Sequence, residues 1–194
     1  MKLTNVILTI KGDSPYSASR QHDEPHLEGE GKDDYDKRTW RSKLTVGANG
    51  NVLIPAFAFH QALVSAAKYS KRQIPGQGKA TWTAKFQAGI MVMSDLDLGV
   101  KPEDFGPIDI SANADGVRGS GKRVPRRFPI ISEWSTTFEI LILDPIITED
   151  VFREMVELAG LFNGLGRFRP QNGGMNGRFH IERMKWTDNR KLAA

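Results

Sequence analysis

The order of periodic segments in this chain predicts an α+β domain: strand, helix, two strands, helix, strand. Two observations carry that reading. Two stretches repeat apolar residues at helical spacing, and four repeat them at every second position. A third observation, two long connections rich in glycine, proline and charge, predicts large insertions around that frame.

The first strand is read at residues 2–10, where Val6, Leu8 and Ile10 alternate with Ile7 and Thr9. The run is too short and polar for a signal peptide. About forty residues then precede the first helix, far more than a usual connection. Residues 13–36 are acidic, and residues 37–54, "KRTWRSKLTVGANGNVLI", read as a hairpin turning at Asn49-Gly50. The first helix begins at "IPAFAFHQALVSAAKYSKR". Pro55 suits a first helical turn, Phe59, Leu63, Ala66 and Ala67 supply the buried face, and Lys68, Lys71 and Arg72 suit its end.

The second strand is placed at residues 85–93 and the third at 135–143, where Phe138, Ile140 and Ile142 share a face. Between them runs a second insertion, residues 94–133, which includes "VRGSGKRVPRRF" with no acid. The second helix follows "DPIITEDVFREMVELAGLF". Thr148 is its N-cap, Ile147 and Phe152 form a hydrophobic staple, and Val151, Met155, Ala159 and Phe162 form its buried stripe. Gly164 is expected to end it in a left-handed cap. The last strand, 177–186, carries Phe179 and Ile181 on one face and His180 and Glu182 on the other. The full order is β-α-β-β-α-β, the ferredoxin-like or RRM-like arrangement: an antiparallel sheet, both helices on one face, and long inserted loops or hairpins.

At 194 residues, 39% hydrophobic and 26% charged, the chain suits one domain with insertions at about 12–52 and 94–133. Cysteine is absent, which excludes disulfides, thiol catalysis and cysteine-ligated zinc. No apolar run approaches a membrane span, so a soluble, cytoplasmic protein without a membrane partner is expected. Net charge is +4 and is segregated, with acids in residues 13–36 and cations in the second insertion and near the C-terminus. That segregation predicts a basic binding surface.

Three segments carry candidate contacts. "GLFNGLGRFRPQNGGMNGRF", residues 160–179, holds six glycines. It fails the dinucleotide fingerprint, because Gly164-Leu-Gly166 follows a helix, and it lacks a Walker lysine, so no cofactor is expected. Gly164, Gly166, Arg167, Arg169, Asn172, Gly173, Gly174 and Arg178 suit phosphate contact through backbone amides and guanidinium groups; the bland alternative is a flexible solvated loop. Arg118, Lys122, Arg123, Arg126 and Arg127 form the basic segment, flanked by Phe128 and Trp134, either of which could stack on a base, with Trp134 equally a core residue. Arg38, Trp40 and Arg41 interleave cations with an aromatic, against the alternative of a hairpin with an exposed tryptophan. His22 and His26, in "HDEPH", lack a defined third ligand, so no metal is assigned. His60 and His180 show no convergent partner in the sequence, so no catalytic residue is assigned.

Three of these segments, "NVLIPAFAFHQALVSAAK", "FEILILDPIITEDVFREMVELAG" and "GLGRFRPQNGGMNGRF", resemble in order the strand-to-helix segment, the strand and second helix, and the glycine-rich loop of the RAMP superfamily of CRISPR effector proteins. The similarity is greatest to the repeated backbone subunit that coats the guide RNA. It covers the core elements, not the insertions. The resemblance implies a non-enzymatic subunit that binds single-stranded RNA, or ssDNA, without strong sequence preference. It also implies self-association along the strand, contact with other CRISPR effector subunits, and a thumb-like role for the basic insertion. Backbone subunits are usually longer and lack the extra "FRPQNGGMN", which implies a reduced, solitary relative encoded by a virus or mobile element. Open alternatives are a virus-encoded ssDNA-binding protein, a CRISPR inhibitor or decoy, and a RAMP-type endoribonuclease.

Overall fold

The computed structural model describes residues 3–113, 121 and 123–190. In chain order the elements are β1 (Leu3–Gly12), α1 (Lys32–Thr39), β2 (Thr45–Val46), β3 (Val52–Ile54), α2 (Ala56–Ser70), α3 (Thr83–Ala88), β4 (Ile90–Val92), β5 (Leu96–Asp97), β6 (Pro107–Asn113), β7 (Arg123–Pro129), β8 (Ser135–Ile142), α4 (Glu149–Leu158) and β9 (Phe179–Arg190). The main sheet runs β4-β8-β1-β9, with every neighbouring pair antiparallel. That is the strand order of the ferredoxin-like α+β fold the sequence predicts.

Period-2 alternation sets the register. Val6 lies opposite Ile140 and Leu8 opposite Phe138. These side chains share one core with Phe59, Leu63, Ala66 and Ala67 of α2 and Val151, Phe152 and Met155 of α4, so both helices cover the same sheet face. On the other face Ile7 and Met91 are exposed. A bulge interrupts the β1–β9 ladder between Thr9 and Ile10, whose partners are Arg183 and Ile181. It leaves Glu182 unpaired and shifts the alternation by one residue. Phe179 and Ile181 therefore face the helices below the bulge, and Met184 and Trp186 do so above it.

Several boundaries differ from the sequence reading. Residues 85–88 belong to α3, not to a strand: Gly89 N–H closes on the Lys85 carbonyl at 2.7 Å and Lys85 Nζ reaches Asp144 at 3.0 Å. Only Ile90–Val92 remains as the sheet edge. Residues 37–39 are helical and Trp40–Lys43 is a 3-10 turn, so the expected hairpin reduces to β2 and β3 around the Gly47–Gly50 turn. α1 is set by charge: Asp33 and Asp34 occupy its first turn, and Lys37 Nζ lies 2.6 Å from Asp33. Pro55 is the N-cap of α2 and not a residue of its first turn.

Thr148 caps α4 as expected, its Oγ1 accepting from Val151 N–H at 3.4 Å. A π-type turn, Ala159–Asn163, follows and rotates Phe162 off the buried stripe. Phe162 is exposed and packs at a tilt against Tyr69, with centroids 5.1 Å apart. Gly164 has φ 68° but ψ 174°, so it is not the expected left-handed cap. The second insertion adds β5 to the small β2-β3 sheet and forms the β6–β7 hairpin, in register from Pro107–Pro129 to Asn113–Arg123. Among the described residues no helix is long and apolar enough to cross a membrane.

Candidate nucleic-acid interface

The chain after α4 turns back on itself between residues 164 and 178. Leu165 N–H donates to the Gly177 carbonyl, Asn176 N–H to Phe168, and Gly177 N–H to Pro15, at 2.8–2.9 Å. Arg167 N–H donates to the Ser17 carbonyl at 2.7 Å, docking the loop on the segment that leaves β1. The glycines make this closure possible. A Cβ at Gly177, where φ is +74°, would meet the Leu165 backbone, and one at Gly174 would meet the Phe168 backbone. The loop is thus stitched rather than flexible, and its glycines are spent on its own close approach.

Arg167 is the loop's central post. Its guanidinium lies 4.1 Å from the Phe128 ring centre and 4.7 Å from that of Phe168, and Nη1 donates to Ser19 Oγ at 2.9 Å. Phe128 and Phe168 meet edge to face at 5.4 Å. Lys43 approaches the same Phe128 ring at 4.5 Å. Burial pushes the Arg167 and Lys43 groups below their ordinary ranges, and the charge of Arg126 adds to each shift. Phe168 sits at φ 57°, a left-handed conformation that presents its ring to Arg167.

Across from the loop stands the β6–β7 hairpin, and between them opens a groove of about 1020 Å³. The loop wall brings Gly166, Arg167, Arg169, Asn172, Gly173 and Gly174. The hairpin wall brings Ser111, Asn113 and Arg123. Arg20, Lys43 and the N-terminus of α2 complete it. Five cations, Arg20, Lys43, Arg123, Arg167 and Arg169, line this groove, and no carboxylate does among the described residues. Arg169 is held only by its own loop, Nη1 donating to the Gly166 carbonyl at 3.1 Å and Nε to Gln171 at 3.3 Å.

The remaining sequence candidates lie elsewhere. Arg38 is committed to Glu30, with Nε 2.7 Å and Nη2 2.9 Å from its carboxylate, and holds that carboxyl down to about 2. Trp40 is buried at 5% exposure against Phe105, with Arg41 over its ring at 4.1 Å, so it offers no free face to a base. Arg41 also donates to the Pro102 carbonyl. Arg127 is paired in bidentate fashion with Asp109 at 2.7 and 2.8 Å. Arg126 pairs with buried Asp36 at 3.2 Å. Gly164 and Arg178 are outside the groove, Arg178 Nε donating to the Leu161 carbonyl. Phe128 and Trp134 are both buried, the latter donating to the Ser14 carbonyl, so neither is a stacking platform. Arg118 and Lys122 lie outside the described residues.

The structure adds Phe57, 69% exposed on the groove's α2 side. Its signal was readable: it stands off the Phe59–Leu63–Ala66 stripe, an aromatic on the polar face of an amphipathic helix. Arg20 and Lys43 had no local signal. His180 does gain a partner, with Nδ1 2.6 Å from Asp13 Oδ1, but that pair lies outside the groove lining, beside Asp150, Glu154 and Glu157. His26 stacks on Tyr35 at 3.8 Å, and no cluster of metal-ligating side chains occurs among the described residues.

No family model matches the chain, and no curated protein does. Solved structures do. A chain of the type III-B Cmr-beta bound to cognate target RNA, determined by cryo-EM, superposes at TM-score 0.52 and 16% identity. The match covers 96% of this chain and 61% of that one, so this chain spans less than two thirds of its length. Cmr6 from Pyrococcus furiosus is similar at TM-score 0.48 and 13% identity, over 92% of this chain and 98% of that one. The fold is RAMP-like.

Proposed function

We propose that the protein binds single-stranded nucleic acid, RNA first, along the groove between the glycine-rich loop and the β6–β7 hairpin. The observation that carries this is the lining itself: five cations on three different segments, and no carboxylate among the described residues. Arg123 and Arg169 reach phosphates from opposite walls, and Phe57 stacks on a base; the Gly173 and Gly174 amides already donate to the Pro170 and Arg169 carbonyls within the loop. Phosphates carry no base identity, so binding is tolerant of sequence. The RAMP-like fold, shared with a chain solved in an RNA-bound assembly, supports the same reading. The whole chain then acts as one domain, with insertions at 12–52 and 94–133 completing the groove opposite the glycine-rich loop. Copies, alone or with other effector subunits, line up along the strand. The protein is a binder and not a nuclease: the His180–Asp13 pair is not part of the groove.

Titrating unrelated RNA strands, their DNA counterparts and duplexes tests this. Similar affinity across RNA sequences, weaker DNA binding and weak duplex binding are expected. Preference for duplex, or no association with any strand, would overturn it. Light scattering with strands of increasing length should show stepwise growth, and a single bound copy at every length would remove the assembly proposal.

A further inference from the structure

Beside the groove lies a second hollow of about 290 Å³, walled by Arg20, His22, Tyr35, Asp36, Lys43, Arg126 and Arg167 among others. Its charges do not balance. Asp36 is buried, and both Lys43 Nζ, at 3.0 Å, and Arg126 Nη1, at 3.2 Å, converge on its two oxygens. Arg167 joins them across the Phe128 ring that it shares with Lys43. Three cations therefore meet one carboxylate, before exposed Arg20 is counted. Burial and mutual repulsion already push Lys43 and Arg167 below their ordinary ranges. Arg167 Nε and His22 Nδ1 are buried without a hydrogen-bond partner among the described residues. Uncompensated charge and orphaned polar atoms in one place call for an anion.

We propose that this hollow holds the terminal phosphate of the strand lying in the groove, a phosphomonoester and not an internal diester. The inference rests on the nucleic-acid reading and refines it. A monoester carries about −1.5 to −2 charges near neutral pH and three free acceptor oxygens, matching the excess of the cluster; an internal diester carries a single charge. The hollow is much smaller than the groove and shares Ser19, Arg20, Lys43, Asn113 and Arg167 with it, so a strand in the groove can place its end there. Among the hollow's lysines and arginines, Arg126 alone does not also line the groove, which makes it the cation that separates the two.

The test uses the full chain and three RNA strands of about twelve nucleotides, identical except for hydroxyl ends, a 5′-phosphate or a 3′-phosphate. Fluorescence anisotropy should show one phosphorylated strand binding about tenfold or more tighter than the hydroxyl strand, the scale of an added charged hydrogen bond. Arg126→Gln should bring that ratio to about one and Arg126→Lys should restore most of it, with the thermal melt of each variant recorded. Equal binding of all three strands to the unaltered protein would overturn the proposal while leaving nucleic-acid binding intact. Binding of none would overturn both. Adenosine monophosphate that displaces the phosphorylated strand at comparable concentration would assign the hollow to a free nucleotide, again overturning it.

Discussion

The glycine-rich loop and the β6–β7 hairpin face each other across the groove, and they are held by different means. The loop is fixed by backbone hydrogen bonds and by glycines that no side chain can replace. The hairpin is held by its own β6–β7 ladder and docked by an ion pair, Arg126 to Asp36, with Arg127 paired to Asp109 inside the hairpin. One wall is preorganised by sterics, and the other projects Arg123 into the groove from a strand whose neighbouring arginines, outside the groove, are matched to carboxylates. Rigidity on the loop side keeps the cost of ordering low when a strand binds. Salt-like pairing on the hairpin side keeps its arginines in place until a competing anion arrives.

Substitutions on the two walls should therefore fail in different ways. The largest effect is expected for Gly177→Val, where positive φ and the Leu165 backbone both oppose a β-branched side chain. Strain and overpacking together should cost about 4 kcal/mol, a melting temperature lower by roughly 8–16 °C for a chain of this size. A normal melt would mean that the loop is not closed as described. Arg167→Ala should act on both stability and affinity. It removes a guanidinium held between two aromatic rings, worth about 1–2 kcal/mol of folding stability, as well as a groove cation. Arg169→Ala should weaken RNA binding by about 1.5–3 kcal/mol in a titration while the melt stays unchanged, because only its own loop holds it. The smallest effect is Asp109→Asn, which releases Arg127: the thermal melt should hardly change, because the pair is solvent-exposed, and RNA affinity should rise. An affinity loss there would show that Arg127 must stay paired to serve the groove.

What could be read from the sequence follows the range of the forces involved. The sheet order and α2 were legible because Val6, Leu8, Phe138, Ile140, Phe59 and Leu63 repeat at local spacing. α4 was legible to Ala159, where the π-type turn breaks the period and releases Phe162. α1 was missed because it has no apolar stripe, only local charge pairs. The cationic candidates were recognisable by type, yet their state was not: Arg126 answers to Asp36, 90 positions away, and no periodicity links the two. The loop glycines were read as bringing backbone amides up to phosphates, whereas the surface they approach is the protein's own backbone at Phe168, Leu165 and Ser17. Arg167 looked like an exposed loop arginine and is instead packed between rings, which is why pairing it with Arg169 in one double variant would confuse folding with binding.

The central claim is that cations on both walls of one groove neutralise the phosphates of a single strand. The most direct measurement is the salt dependence of RNA affinity for the unaltered protein and for Arg169→Ala. On single strands log K falls by about 0.7 for each phosphate neutralised per decade of salt. With five cations lining the groove, a slope of about −3.5 is expected for the unaltered protein, and a slope shallower by about 0.7 for the variant. A flat dependence, or identical slopes for the two proteins, would contradict phosphate neutralisation in this groove.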